Sequence, residues 1–203
     1  MSTRPEHPVI PELRAGRLDN AITLMRAEVD RDHRQLDLSH PDVRSGFMLL
    51  AQVYLVAGQP ENARPHLEFA LDLARRFDGD DHPMTMSISA DLGRVYLDLH
   101  LPRRALPLLR QQLAAAVARH GRDAAETVVP RGDLADACAD IGARAEAAGL
   151  LRTNLEICLR HFGADHEYTV ITREKLEDVG ISSPRRGRRF GIWPRRERGR
   201  VSA

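Results

Sequence analysis

Residues 40–81 read HPDVRSGFMLLAQVYLVAGQPENARPHLEFALDLARRFDGDD, and the following stretch opens again on His82-Pro83. Within this stretch the apolar residues fall at helical spacings. Phe47, Leu50, Ala51 and Tyr54 come first, and Ala63, Leu67, Ala70, Leu71 and Ala74 follow the Ala57-Gly58 break. Steps of three and four residues place each set on one stripe of a helix. Gly58 provides a left-handed residue to end the first helix, and Pro60 suits the start of the second. The unit therefore predicts helix, tight turn, helix.

The same reading extends outward at a period of 42 residues. Ala21, Ala63, Ala105 and Ala147 share one column, Met25, Leu67, Leu109 and Leu151 a second, and Val29, Leu71, Leu113 and Leu155 a third. Gly16, Gly58 and Gly142 share a turn column that His100 interrupts. Gly79-Asp80-Asp81, Gly121-Arg122-Asp123 and Gly163-Ala164-Asp165 form a recurring link. Asp81 and Asp165 are the expected helix caps. The alanine column marks close helix approach, and the large columns fill the space between helix pairs. Full units span 40–81, 82–123 and 124–165. Residues 15–39 match a second half-unit, and 166–178 a first half-unit whose outer face would carry Arg173, Glu174, Lys175 and Glu177. Three units are about the minimum for a repeat stack to bury a core. The expected fold class is all-α, a right-handed solenoid of antiparallel helix pairs. It would span residues 12–180, between a flexible N-terminus (1–11) and a disordered Arg-rich tail (181–203).

The pattern Leu50-Ala51-x-x-Tyr54, Gly58, Ala63, Leu67, Ala70 resembles the tetratricopeptide repeat, and Leu92-Gly93-x-x-Tyr96 with Ala105 repeats it. Leu134-Ala135 with Ala147 carries it more weakly. The unit length and the Gly-x-Asp-His-Pro link are similar to the kinesin-light-chain-like subtype, most of all the versions common in actinobacteria, in which Ala-Gly-Arg-Leu-Asp-x-Ala (Ala15 to Ala21) recurs. The resemblance implies a concave groove, lined by first helices, that holds a peptide or partner helix. Family members carry paired asparagines just before the Leu-Ala of the first helix. Met48-Leu49, Ala90-Asp91 and Gly132-Asp133 stand there instead, so that clamp does not carry over.

Helical phase places Met48, Gln52, Leu55, Asp91, Arg94, Asp98, Asp133, Asp136, Asp140 and Glu174 on the groove face. Acids dominate from the second unit onward, so the expected partner is a protein or peptide of basic character; on the bland reading this is an ordinary solvated helix face. A concave surface concentrates the potential of like charges. From Pro184 to Ala203 eight arginines meet one acid, a local charge of +7, so the remaining 183 residues carry −6 of the net +1. Arg185, Arg186, Arg188, Arg189, Arg195 and Arg196 surround Phe190 and Trp193. Such a segment could contact nucleic acid through phosphates and stacking, lie on an anionic membrane, or dock in the acidic groove of its own chain or a second copy. The plain alternative is an unstructured solubilising end. The half-unit at the start presents an apolar edge that residues 1–14 or a homodimer partner would cover.

Composition excludes much else. With 42% hydrophobic residues but only 4% aromatic, the chain suits close-packed helices better than a sandwich of sheets. Cys138 and Cys158 fit neither a metal spacing nor a disulfide framework and read as buried thiols. His40, His82 and His166 share the linker column, where their rings would bond helix starts. His33, His66, His100, His120 and His161 form no zinc signature. Neither a nucleophile elbow nor a phosphate loop occurs, and Ser87 and Ser89 lack a base arrangement. No catalytic residue, metal, cofactor or small-molecule substrate is expected. The first eleven residues lack a signal peptide's apolar core, and no apolar run would span a bilayer, so the expectation is a cytoplasmic, non-enzymatic adaptor.

Overall fold

The repeat turn sets the local geometry. In the computed structural model, which describes residues 7–180, Gly58 has φ +70°. Its amide donates to the carbonyl of Leu55, and that of Gln59 to the carbonyl of Tyr54. This paired closure satisfies the last carbonyls of the helix. It recurs at Gly16, His100 and Gly142: the amides of Arg17, Leu101 and Ala143 reach back to Glu12, Tyr96 and Cys138. His100 adopts φ +55° in the glycine column, so the turn persists without the residue that enters it freely.

The described residues are all-α and contain no strand. They fall into two compact units that divide between Leu101 and Pro102. The first holds α1 (Val9–Arg14), α2 (Leu18–Gln35), α3 (Pro41–Val56), α4 (Pro60–Phe77) and α5 (Pro83–Asp98), each packed on the next. The second holds α6 (Pro102–His120), a 3-10 turn (Ala125–Thr127), α7 (Val128–Asp140), α8 (Arg144–His161) and α9 (Glu167–Gly180), again packed in sequence. The short α1 begins before residue 12, and its Val9 is buried. The Arg17 guanidinium meets the Glu12 carboxylate at 2.7 and 2.9 Å, tying α1 to the start of α2. With Asn20 it holds that carboxyl down to about 2.

All four column alanines have zero exposure, and Met25, Leu67, Leu109 and Leu151 are buried beside them. The third column divides. Val29 and Leu71 are buried, whereas Leu113 and Leu155 are only half-buried.

The helix starts correct the expected caps. Asp81 and Asp165 are exposed, and the Nδ1 atoms of His82 and His166 accept the amides of Met84 and Tyr168, each at 3.2 Å. His40 does the same for Asp42. The proline after His40 and His82 lacks an amide hydrogen, so the histidine reaches the next free donor. In the 124–165 unit Ala124-Ala125 replaces His-Pro. The chain there tightens into the 3-10 turn, closed by Thr127 Oγ1 donating to the Ala124 carbonyl at 2.7 Å.

The face expected to be polar on the last half-unit is also corrected in part. Arg173, Glu174 and Glu177 are exposed, but Lys175 is 2% exposed and turns inward. Cys138 and Cys158 are free and fully buried, and burial pushes the Cys138 thiol up to about 11, far from nucleophile chemistry.

Two substitutions test this account in chemical denaturation. Leu67→Ala is expected to lower stability by about 3 kcal/mol through lost burial and a residual cavity. His100→Gly is expected to raise it by roughly 0.5–1 kcal/mol, since relief of left-handed strain exceeds the entropy glycine gains in the unfolded chain.

Candidate peptide-binding face

The side chains that helical phase assigned to the groove lie on first helices, and each unit ties one of them to a residue on the neighbouring first helix. In the first unit Gln52 on α3 donates through Nε2 to Asp91 Oδ2 on α5 at 3.2 Å. In the second, Lys175 on α9 donates through Nζ to Asp136 Oδ2 on α7 at 2.6 Å. Both pairs are separated by 39 residues. A residue on one first helix thus meets the residue one period later, less about one turn. The same two columns supply a rung in both units.

These rungs change the electrostatics expected of the face. Asp91 is 8% and Asp133 4% exposed, so neither is a solvated acid. Asp136 is half-buried, and its desolvation pushes the carboxyl up to about 6 against the pull of Lys175; Asp133 and Asp140 act in the same direction as burial. Asp98, Asp140 and Glu174 are exposed. Arg94 is half-buried, as are Met48, Gln52 and Leu55. Sequence phase did not assign Lys175 to this face, because charged residues near a chain end read as solvated. Its signal was the 39-residue offset that already joined Gln52 to Asp91.

The α3 face also carries apolar surface. Leu49 is 41% and Val56 57% exposed. At about 100° per residue they share a strip with Met48, Gln52 and Leu55. The tail residues Arg185, Arg186, Arg188, Arg189, Phe190, Trp193, Arg195 and Arg196 lie outside the described residues. Among the described residues no three His, Cys, Asp or Glu side chains group to hold a metal, and no helix is long and apolar enough to cross a membrane.

The Lys175–Asp136 rung is testable. Lys175→Met leaves a desolvated carboxylate without its cation and is expected to cost about 3 kcal/mol at neutral pH. Because the folded-state value of Asp136 is raised, its own titration favours folding below the usual carboxylate range and loses that effect as pH rises through about 6. The Lys175→Met penalty should therefore shrink between pH 7 and pH 5. Asp136→Leu with Lys175→Met should recover most of the stability and show no such pH dependence. Denaturation midpoints across that range check all three.

Residues 42–116 match the family model described as the tetratricopeptide repeat. No curated protein sequence matches the chain. Among solved structures, it is similar to a kinesin light chain with nearly identical TPR-like repeats from Podosopora anserina, at 21% identity and TM-score 0.72, over 86% of this chain and 87% of that one. BtubC (BKLC) from P. vanneervenii is similar at 18% identity and TM-score 0.69, over 84% and 68%. The apo form of RapI is similar at 17% identity and TM-score 0.65, over 84% of this chain and 45% of that one. Residues 42–116 thus carry the tetratricopeptide repeat, and the helix pairs, the repeating turns and the buried alanine column give the chain a fold similar to that of the kinesin-light-chain-like repeat structures.

Proposed function

We propose that this chain is a protein-binding adaptor that takes a peptide or helix on the first-helix face of its N-terminal unit. The carrying observation is the strip on α3, where exposed Leu49 and Val56 join half-buried Met48 and Leu55. Single exposed apolar residues are ordinary, but a strip of them along one helix offers a partner a surface to cover. Gln52, half-buried within the strip and bonded to Asp91, offers its remaining amide groups to a partner backbone. The binding mode is an amphipathic segment laying its apolar anchors along a helical face.

The preference for a basic partner rests on fewer side chains than the number of acids suggests. Asp91 and Asp136 are engaged within the chain, and Asp98, Asp140 and Glu174 are the exposed acids of the assigned set. The partner therefore has apolar anchors first, with basic flanks second. The Arg-rich segment 184–203 has the charge to compete for the same acids, and we assign it that regulatory role.

Affinity capture tests the reading with three chains: the full protein, one ending at Gly180, and Leu49→Glu with Val56→Glu. The expected result is a protein partner retained by the shortened chain and reduced at least roughly tenfold by the paired glutamates. Retention by the double variant would reject the α3 face. Loss on truncation, with nucleic acid or anionic lipid accompanying only the full chain, would make the basic segment the effector instead.

A further inference from the structure

The first unit fills the space beside α2 and α4 with rings. Phe47 on α3 meets Phe69 at 4.7 Å between centroids, His33 at 5.9 Å and His66 at 5.8 Å. Tyr54 stacks on His66 at 5.6 Å. Two periods later, in the second unit, the residues in register with His33, Phe47, His66 and Phe69 are Val117, Arg131, Leu150 and Thr153. All four rings are gone. Those four replacements border an open cleft of about 510 Å³ between α6 and α8. That volume is within the range of small-molecule sites.

The cleft holds an unusual cation. Arg131 is only 4% exposed, yet the oxygens that accept its hydrogen bonds are all neutral. Nη1 donates to Thr127 Oγ1 at 2.9 Å and to Asn154 Oδ1 at 3.3 Å, and Nη2 donates to the Arg122 carbonyl at 2.9 Å. Arg44, the buried arginine of the first unit, meets the Asp78 carboxylate at 2.8 Å. Burial first, and then the neighbouring Arg122, push Arg131 down from its ordinary value against the pull of Asp123. Glu146 borders the cleft, but its carboxylate is engaged by Arg110 at 3.1 Å. A buried guanidinium whose hydrogen bonds all go to neutral oxygens, with the Asp123 carboxylate acting on it only through space, is costly, and a carboxylate is the ligand chemistry that would offset it.

The remaining walls are apolar. Leu113 and Val117 from α6 and Leu150 from α8 are half-buried there. Gly149 stands where α4 has Pro65, and a Cβ added to it would meet nothing within 4 Å. The half-burial of Leu113, against the full burial of Val29 in the same column, follows from the missing rings.

We propose that the α6–α8 cleft binds a small aromatic carboxylate, its ring against Leu113, Val117 and Leu150 and its carboxylate on Arg131. The first unit shows that this repeat position accommodates stacked rings. The second supplies a cation in place of the central one. The site lies on helices other than the α3 face and is independent of the adaptor reading.

The test is titration of the full chain, followed by amide NMR shifts, with benzoate, phenylacetate and indole-3-acetate. Benzamide supplies the ring without the charge, and acetate the charge without the ring. The expected result is saturable shifts at Leu113, Val117, Gly149 and Leu150, with Kd on the order of 0.1–1 mM for at least one aromatic acid. Binding should be roughly tenfold weaker for both controls. Arg131→Met should weaken it similarly. Gly149→Leu fills the open space without entering the buried core, so it should keep the helical spectrum and Tm while losing binding at least tenfold, to a first approximation. Absence of saturation by all three acids up to about 10 mM, or unchanged binding in folded Gly149→Leu, overturns the proposal.

Discussion

The distance of closest approach at one small residue governs the rest of this structure. Ala21, Ala63, Ala105 and Ala147 retain no surface to solvent, and each sits near the start of the second helix of its pair. A methyl group is the largest side chain that lets two backbones come so near, and packed interiors yield little when a methylene is added. Once that spacing is fixed, the buried large residue four positions later closes the space to the next helix, and the left-handed turn sets where each second helix starts. Interchangeable parts then produce each unit. Each unit shares the alanine, the large residue and the turn, while other positions differ between units.

That freedom has been used differently in the two units. Next to α2 and α4 the space is filled by rings, which contribute area and edge-to-face contacts. At the corresponding position of the second unit the chain places a polar network. Thr127, Arg131 and Asn154 are buried and bonded to one another, and Asn154 Nδ2 also donates to the Val128 carbonyl at 2.8 Å. The network fastens the 3-10 turn that replaced the His-Pro start, because Arg131 reaches the Arg122 carbonyl across that link. A local loss of capping chemistry is offset by a buried arginine.

The helices, their order and the turn column were legible in the sequence because they rest on spacing, which a linear chain states directly. Even His100 was visible as an interruption, although only the backbone showed it holding the glycine conformation. The caps were misassigned to Asp81 and Asp165 because aspartate is the commoner cap. The histidine ring outreaches it here by acting two residues ahead, past the proline. The residues assigned to the candidate face lie on first helices, but their charge distribution was not legible. Burial of Asp91 and Asp133 depends on how far the neighbouring helix overlaps, which hydrophobic periodicity does not encode. The cleft had left its signal in plain sight, in the column where Phe47 gives way to Arg131. Seeing it required asking what a column lacks.

Lys175 has a practical meaning apart from its ion pair. It is the only lysine in the chain, and 2% of it reaches solvent. Apart from the amino terminus, amine chemistry therefore has a single target, and that target is shut while α9 stays packed on α8. Amine-reactive labelling becomes a clock for the opening of the last helix, read at one residue without any engineered probe. The same burial screens the chain from enzymes that acylate lysine or attach ubiquitin to it, for as long as that helix holds.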